Sequence, residues 1–377
     1  MHTLVVVAIA LSVPYGILMV LYRIGFGMQA RTVLPDGYVP TTFLTVVVPA
    51  RNEEAHLAAC LESLSRQKYP AQLFEVVVAD DHSGDRTADI VQQYAGTRIK
   101  YVSPTEVAAT GIAHKKAALT AAIVKARGSV IVTVDADCIA GRDLLACHAY
   151  SHEVGNADMV VGPVQYDGAD NPLGIFQMLD FMAMQGITAA THRLGLGNMC
   201  NGANLSFSKR VFDELGGYAG TTHLATGDDY LLMTKFAARH HTRIAYLKTP
   251  DAIVSTPPQP DWKQFLAQRT RWASKSGKYK DTVLTAVLVF VYVYNVCLLV
   301  FMVAAIGMPQ LRLPALGLLL CKTVVELVLM VPVARYFKAS RYLLFFPAFQ
   351  PLHVLYVVVA GFLGMRGNYN WKGRTVK

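Results

Sequence analysis

The chain has 377 residues, and its 35 lysines and arginines against 26 aspartates and glutamates give a formal net charge of +9 at pH 7. This length suffices for one sizeable α/β domain with accessory segments, but a hydrophobic share of 53% is unusual for a protein without membrane contact. The basic residues cluster beside apolar segments and no nucleic-acid-binding module is legible, so the charge favours anionic lipid headgroups over nucleic acid.

Apolar stretches long enough to cross a membrane lie at residues 4–22, 282–307, 311–334 and 342–364. The first is predicted to be an uncleaved anchor, residues 1–23, rather than a signal peptide, since it lacks a basic leader and a clear cleavage site. Arg23 and Arg31 follow it closely, so the positive-inside rule places residues 24–281 in the cytosol. We therefore expect a multi-pass protein of the cell inner (plasma) membrane.

The C-terminal membrane region, residues 282–366, has about three segments. Full crossing by all of them would leave the basic C-terminus outside, which the same rule disfavours. Pro347, Pro351 and His353 in the last segment leave a re-entrant or interfacial path open.

A βαβ succession follows the first apolar stretch. The residue patterns predict strands at 43–48, 75–79 and 130–134, and helices at 53–67, 86–95, 114–126 and 172–190. Such a succession predicts a parallel sheet that is covered on both faces. No low-complexity linker divides this region, so residues 40–256 are predicted to form one cytosolic domain.

Two acidic pairs follow predicted strands, at the edge where ligands of open α/β sheets bind. Asp135 and Asp137 are one residue apart, and Mg²⁺ or Mn²⁺ typically takes one or two carboxylates with substrate phosphates. The pair is therefore predicted to hold a nucleotide diphosphate through a metal; a surface turn is the alternative. Asp80 and Asp81 close the preceding strand, where a simple turn or a polar ligand explains them equally.

Charged residues also begin two predicted helices. Lys115 and Lys116 oppose the helix dipole, a misfit that is relieved if one of them faces a phosphate. Asp228 and Asp229 suit a helix start, so capping is one interpretation. The other is a general base that takes a proton from an attacking hydroxyl.

Residues 257–281 are predicted to hold an amphipathic helix that begins after Asp261. Gln268, Arg271 and Trp272 lie within one to two of its turns, which suits a contact between Arg271 and phosphate. A Trp anchor at the membrane with a snorkelling Arg is the alternative for this motif. The helix as a whole is expected at the membrane interface, with packing on the domain alone as the other interpretation.

In the order of these motifs the sequence resembles the family 2 glycosyltransferases of the GT-A type, in the membrane-bound subgroup that includes ceramide glucosyltransferase and the cellulose and hyaluronan synthases. The resemblance runs from Val46 to Trp272. It implies an α/β fold, a Rossmann-like nucleotide-diphospho-sugar transferase domain, flanked here by N- and C-terminal transmembrane helices.

The resemblance also implies roles for individual residues. The implied donor-binding residues are Pro49, Arg51, Glu53, Asp81, Lys115, Asp135, Gln268, Arg271 and Trp272. Asp135 and Asp137 resemble the metal motif, for Mg²⁺ or Mn²⁺. Asn201, Gly202 and Asn204 fall where the acceptor site usually lies. Thr226-Gly227-Asp228-Asp229 is similar to the family's Thr-Glu-Asp, so Asp229 is the implied base, with Asp228 still a contender.

The implied reaction is an inverting transfer from a nucleotide sugar, with a UDP-sugar favoured. A lipid acceptor and a single transfer are expected, because polymer-exporting relatives use more membrane helices than this chain possesses. A processive polysaccharide synthase is the alternative. A membrane scaffold or transporter that retained the nucleotide fold is an alternative of another class, but it has no need of both Asp137 and Asp229.

Overall fold

The computed structural model describes residues 2–96, 98–108, 110, 112, 115–168, 170–197, 199–222, 224, 227–239, 241–274, 281–366, 369–371 and 374–376, with the backbone alone for 2–5, 369–371 and 374–376. These residues fold into two units. The sheet unit comprises residues 30–167 and 199–257, and the helical unit comprises residues 1–29, 168–198 and 258–377. The predicted domain bounds of 40 and 256 stay a prediction, although residues 168–198 lie within the helical unit.

The strands are, in chain order, β1 (Leu44–Ala50), β2 (Phe74–Asp80), β3 (Ile99–Val102), β4 (Val130–Thr133), β5 (Ile139–Ala140), β6 (Met159–Val161), β7 (Val164–Tyr166), β8 (Leu205–Ser208), β9 (Ile244–Tyr246), β10 (Val254–Thr256), β11 (Tyr369–Trp371) and β12 (Arg374–Val376). The helices are α1 (His2–Met28), α2 (Leu57–Ser65), α3 (Thr87–Tyr94), α4 (Pro104–Ala108), α5 (Lys115–Lys125), α6 (Leu144–Glu153), α7 (Pro172–Leu194), α8 (Lys209–Glu214), α9 (Tyr230–Ala238), α10 (Trp262–Ala273), α11 (Thr282–Gly307), α12 (Arg312–Tyr336) and α13 (Phe346–Met365).

The sheet unit is built on a seven-stranded sheet of order β3-β2-β1-β4-β8-β6-β9. Strands β3, β2, β1 and β4 run parallel, as the βαβ pattern predicts. All seven residues of β2 are buried, which fits a strand covered on both faces. The acidic residues that follow β2 and β4 therefore lie at one edge of the sheet.

The remaining strands depart from the all-parallel prediction. Strand β8 runs antiparallel to both β4 and β6, between which it lies. A second sheet of order β5-β10-β7 was not predicted either, because its strands are only two or three residues long. Such short strands carry too little alternation to be read from a single sequence.

The predicted strands at 43–48, 75–79 and 130–134 are confirmed as β1, β2 and β4. The helix predicted from residue 53 begins later, at Leu57. The residues of the predicted first turn have other partners: the Glu53 N–H donates to Thr87 Oγ1 at the start of α3, and the Glu54 N–H donates to Asp85 Oδ2 in the loop after β2. The helix predicted at 172–190 is confirmed as α7, which is capped by Asn171 and ends at Gly195 in the left-handed conformation (φ 66°).

Among its described residues, the helical unit has four helices that are long and apolar enough to cross a membrane, over Val6–Met28, Thr282–Gly307, Pro309–Tyr336 and Ser340–Met365. They coincide with the four predicted apolar stretches. The last one is a continuous helix from Phe346, although it contains Pro351. Orientation and the number of crossings stay predictions.

A buried polar cluster lies among these helices. Lys322 Nζ donates to Glu326 Oε1 at 2.6 Å and to Gln350 Oε1 at 2.8 Å, and Gln350 Nε2 donates to Glu326 Oε2 at 2.7 Å. Tyr15 donates a further hydrogen bond to Glu326. Ionisable groups in a membrane segment need such partners, and here α1, α12 and α13 supply them to one another.

Candidate functional site

The candidate site of the sheet unit lies at the carboxyl ends of β1, β2 and β4. Pro49 is within β1, and the loop after β1 faces the loop after β2. Arg51 donates from its guanidinium to the Asp81 carbonyl at 2.6 Å. The Asn52 N–H donates to Ser83 Oγ at 3.0 Å, and the Gly84 N–H returns a bond to Asn52 Oδ1 at 2.9 Å. The two loops thus form one rim of the sheet edge.

The two carboxylates that close β2 differ in their surroundings. Asp80 is buried and accepts hydrogen bonds from the Ser83 N–H at 2.9 Å and from the Tyr101 hydroxyl at 2.9 Å. Asp81 is also buried, and its Oδ1 lies 3.2 Å from His82 Nδ1. These two bonds give Asp80 a structural role in the loop. Asp81 is the one that the resemblance assigns to the nucleoside.

Lys115 lies between carboxylates from two distant parts of the chain. Its Nζ is 2.5 Å from Asp135 Oδ1 and 3.3 Å from Asp228 Oδ2. Burial would lower the pKa of Lys115, but the carboxylates of Asp135, Asp228 and Asp229 outweigh burial and raise that pKa well above its usual value. The carboxylates thus favour the charged form of the lysine, which joins the acidic motif after β4 to the acidic motif before α9.

Gly202 lies beside the cluster formed by Lys115, Asp228 and Asp229. A Cβ added at Gly202 would come 3.4 Å from Asp228 Oδ2, 3.5 Å from Lys115 Nζ and 3.6 Å from Asp229 Cβ. The Thr133 hydroxyl, at the end of β4, donates to the Gly202 carbonyl at 2.7 Å and holds the backbone there. A larger side chain at position 202 would fill the space beside both acids.

Asp229 caps the start of α9, where its Oδ1 accepts the Tyr230 N–H at 2.7 Å. Asp229 is therefore a cap of this helix, as one of the two interpretations predicted. A helix N-terminus favours a charged carboxylate, so the same position suits a residue that must be ionised to accept a proton. Thr226, which precedes this motif, lies outside the described residues.

Asp135 and Asp137 follow β4, and both are partly exposed. Asp137 Oδ1 accepts a weak bond from Cys138 Sγ at 3.4 Å. Within the described part of the chain, no group of three or more His, Cys, Asp or Glu side chains is placed to hold a metal. Mg²⁺ and Mn²⁺ bind one or two carboxylates and keep water and substrate phosphates as their other ligands. A pair of partly exposed carboxylates fits such an ion.

The structure contradicts the acceptor role predicted for Asn204. Its side chain is fully buried, its Nδ2 donates to the carbonyls of Pro163 and Ala252, each at 2.8 Å, and its Oδ1 lies 2.8 Å from His148 Nε2. These bonds use its polar atoms to join separate segments of the sheet unit. Asn201, by contrast, is partly exposed and accepts the Ala203 N–H at 3.0 Å.

The remaining predicted residues lie on α10, in the helical unit. Arg269, a position the motif leaves unspecified, is buried and makes an ion pair with Asp180 of α7. Its guanidinium also lies over the rings of Phe265 and Trp272, at 4.7 and 4.3 Å from their centroids. The Gln268 side-chain oxygen accepts a hydrogen bond from the Arg269 guanidinium at 2.6 Å. Arg271 is half-buried. Sequence reasoning missed Arg269, whose charge gave no sign of burial.

The helix packs on protein along its Phe265 face. Phe176 of α7 lies 5.6 Å from Phe265, and Tyr356 of α13 lies 5.2 Å from it, between ring centroids. Trp262 is 46% exposed. An interfacial position of α10 stays a prediction, and residues 275–280 of its predicted segment lie outside the described residues.

A model of the family described as glycosyl transferase family 2 matches residues 45–216. Over this stretch the chain is similar to the family 2 glycosyltransferases. The matched stretch includes Lys115, Asp135 and Gly202, whereas Asp228 and Asp229 lie beyond it.

Curated relatives are named glycosyltransferases. The chain is 25% identical over 252 residues to a probable glycosyltransferase of Bacillus subtilis strain 168, covering 61% of this chain and 54% of that protein. It is 27% identical over 288 residues to an N-acetylglucosaminyltransferase of Rhizobium meliloti strain 1021, covering 73% of this chain and 64% of that protein. The chain thus spans less than two thirds of the length of either relative.

Among solved structures, the chain is similar to a mannosyltransferase from Pyrobaculum calidifontis in complex with GDP-Man and Mn²⁺. The TM-score is 0.60 at 22% identity, with 93% of this chain and 99% of that chain covered. This likeness confirms the predicted GT-A fold.

Proposed function

We propose that this protein is an inverting glycosyltransferase that moves one sugar from a nucleotide-diphosphate sugar to a hydroxyl of a membrane lipid. The observation that carries the proposal is the cluster in which Lys115 lies between Asp135 and Asp228, beside the side-chain-free Gly202. A family 2 glycosyltransferase domain that has kept both a metal-type carboxylate pair and a second acidic pair has the groups needed for transfer. A scaffold that only binds nucleotide would need the first pair alone.

The two acidic pairs have different proposed roles. Asp135 and Asp137 would hold a divalent cation, which would supply positive charge beside the departing nucleoside diphosphate. Asp229 is the proposed base, which takes the proton of the acceptor hydroxyl. The resemblance of the motif favours Asp229, and Asp228, which pairs with Lys115 at 3.3 Å, stays the other contender.

The other predicted residues have supporting roles. The proposed donor-binding set is Pro49, Arg51, Glu53, Asp81, Lys115, Asp135, Gln268, Arg271 and Trp272. For the three residues of α10 the proposal rests on the resemblance of their motif. Asn201 and Gly202 are the proposed acceptor contacts, since the space beside Gly202 adjoins both Asp228 and Asp229.

The membrane lipid as acceptor is supported by the four helices that are long and apolar enough to cross a membrane. We propose the plasma membrane as the location, with the domain on the cytosolic side. A UDP-sugar is the proposed donor. UDP-N-acetylglucosamine is the first to test, because the Rhizobium meliloti relative is named an N-acetylglucosaminyltransferase.

The deciding experiment measures nucleoside diphosphate release from a panel of sugar nucleotides, with Mg²⁺ or Mn²⁺ and a host lipid extract. Asp137→Ala should abolish release and weaken metal-dependent donor binding, measured by calorimetry. Asp229→Asn should abolish release but keep donor binding. Asp213→Asn, an exposed aspartate of the same unit, is the matched control and should behave as the parent.

Equal donor affinity of Asp137→Ala and the parent would refute the metal assignment. Full release by Asp229→Asn would refute the base. Chromatography of the lipid product gives its length, and a product with many sugars would replace single transfer by processive synthesis.

A further inference from the structure

Two lysines of the sheet unit bind the backbone of one loop. We define the carbonyl loop as residues 215–222 and 224, which follow α8 and lead toward Asp228. Lys116 Nζ donates to the carbonyls of Thr221 at 2.6 Å and Leu224 at 2.9 Å. Lys235 Nζ donates to the carbonyls of Gly217 and Ala219, each at 2.6 Å, and lies 3.5 Å from that of Leu215. Two ammonium groups thus bind five carbonyl groups of the loop.

Because Lys116 is buried, its hydrogen bonds to the loop must replace the hydration that its ammonium group has lost. Its side chain is completely buried, although it begins α5 beside the partly exposed Lys115. Taking an ammonium group out of water costs several kcal/mol unless strong hydrogen bonds replace its hydration. The two adjacent lysines therefore have separate partners. Lys115 meets the carboxylates of Asp135 and Asp228, and Lys116 meets the loop backbone.

The carbonyl loop is a run of hydrogen-bonded turns that contains a glycine in the left-handed conformation. Gly217 has a φ of 52°, and a Cβ added there would come within 2.9 Å of the Phe212 ring. Glycine adopts this left-handed conformation readily, and the Gly217 N–H donates to the Phe212 carbonyl at 2.8 Å within a run of turns. The lysine bonds add a restraint to these turns, because they tie carbonyl groups on both sides of Tyr218 to α5 and α9.

Tyr218 connects the loop to the acids. It is buried, and its ring packs edge-on against Phe212 at 5.3 Å. Burial raises the pKa of Tyr218 well above its usual value; the charge of Asp228 raises it further, that of Lys115 opposes the rise, and that of Asp229 adds a smaller rise. The loop that the lysines hold therefore lies within electrostatic reach of the proposed base.

We propose that Lys116 and Lys235 are positioning residues, which hold the carbonyl loop in the conformation that places Asp228 and Asp229 for proton transfer. The inference rests on the proposed function for its catalytic consequence, but the restraint on the loop can be measured without activity. Both lysines act through the loop, because its carbonyl groups accept their hydrogen bonds. A displacement of about 1 Å at a reacting group can cost about 100-fold in rate.

The test compares Lys116→Met and Lys235→Met with the parent by hydrogen–deuterium exchange of the full chain in detergent. Exchange should rise in peptides that cover the carbonyl loop and stay unchanged in those from β1, β2 and α7. Lys125→Met is the matched control, since Lys125 lies on the same helix as Lys116 but is exposed and pairs with Glu106. It should leave exchange of the loop as in the parent.

Kinetics then separate positioning from a general structural role. With the active donor, both variants should lower kcat about 10- to 100-fold while the KM for the donor stays within about twofold. Unchanged exchange in the loop, or exchange that rises throughout the chain with a parallel rise in KM, would overturn the proposal. If Lys116→Met does not fold, Lys235→Met decides alone. An inactive parent would count against the proposed function, while the exchange result would still decide the restraint.

Discussion

The buried ion pair between Arg269 and Asp180 permits a quantitative prediction about the attachment of α10. Arg269 is 2% exposed and Asp180 is 7% exposed. The Arg269 Nε and one terminal nitrogen lie 2.9 and 2.8 Å from Asp180 Oδ2. The carboxylate also lies 3.5 Å from the Tyr356 hydroxyl and 3.9 Å from His353 Nε2. Both charges are therefore enclosed by protein, and each is the main counter-charge of the other.

Removing one partner of a buried ion pair typically costs about 3–5 kcal/mol, because the other charge is left buried and uncompensated. Arg269→Met should cost this amount, since it strands the carboxylate of Asp180. Asp180→Asn should cost about 2–3 kcal/mol, because the amide oxygen can still accept from the guanidinium. The double variant carries no stranded charge and should lie within about 2 kcal/mol of the parent. The coupling energy should then be about 3 kcal/mol or more.

The assay is reversible unfolding in mixed micelles with increasing sodium dodecyl sulfate, followed by circular dichroism. Arg271→Met is the control from the same helix, since no hydrogen bond or ion pair engages the Arg271 side chain in the described part of the chain. It should change the free energy of unfolding by less than about 1 kcal/mol, yet it should reduce sugar transfer. A coupling energy below about 1 kcal/mol would refute the reasoning, as would a larger loss of stability from Arg271→Met than from Arg269→Met.

Three further predictions concern the sheet unit. Lys115→Met removes the cation between Asp135 and Asp228, and it should lower kcat for nucleoside diphosphate release about 100- to 1,000-fold; parental activity would contradict this. Gly128→Ala places a Cβ 2.5 Å from the backbone nitrogen of Thr45 and should destabilise the fold by about 1–3 kcal/mol in thermal unfolding, whereas Gly84→Ala, with open space around it, should not. Burial opposes ionisation of Glu153, but hydrogen bonds from Thr42, Tyr38 and Thr41 lower its pKa from 4.5 to about 2. Its stabilising contribution should be complete above pH 4.5 and lost as the pH falls toward 2, so Glu153→Gln should flatten the acid limb of the stability profile between pH 5 and 3.

The sequence was sufficient to predict the parts of the site that follow long apolar strands. Val130–Thr133 is an uninterrupted β-branched run, so the position of Asp135 and Asp137 at the sheet edge followed from local pattern. The pairing of Lys115 with Asp228 could not be predicted in this way. The two residues are more than 100 positions apart, and the antiparallel β8, whose four residues carry no distinctive pattern, follows the Gly202 backbone that lies beside them.

The errors have a common physical origin. The resemblance to the family implied an acceptor role for Asn204, yet its amide is bonded to two backbone carbonyls and a histidine. The burial of Arg269 depends on Asp180, a partner 89 positions away in the chain. Both are buried polar groups whose partners come from distant segments, and such partners cannot be inferred from local composition.

The position of β8 has a consequence for biosynthesis. Strand β6, made earlier, pairs with β8 and β9, and not with β4. During synthesis, β1 to β4 can assemble as soon as they leave the ribosome. Strand β6 can join this sheet only after α7 and then β8, residues 205–208, have been made. Until then β4 has an unpaired edge, which is a site for misfolding and aggregation. Nascent chains arrested before residue 205 should therefore depend on chaperones more strongly than those released after residue 246.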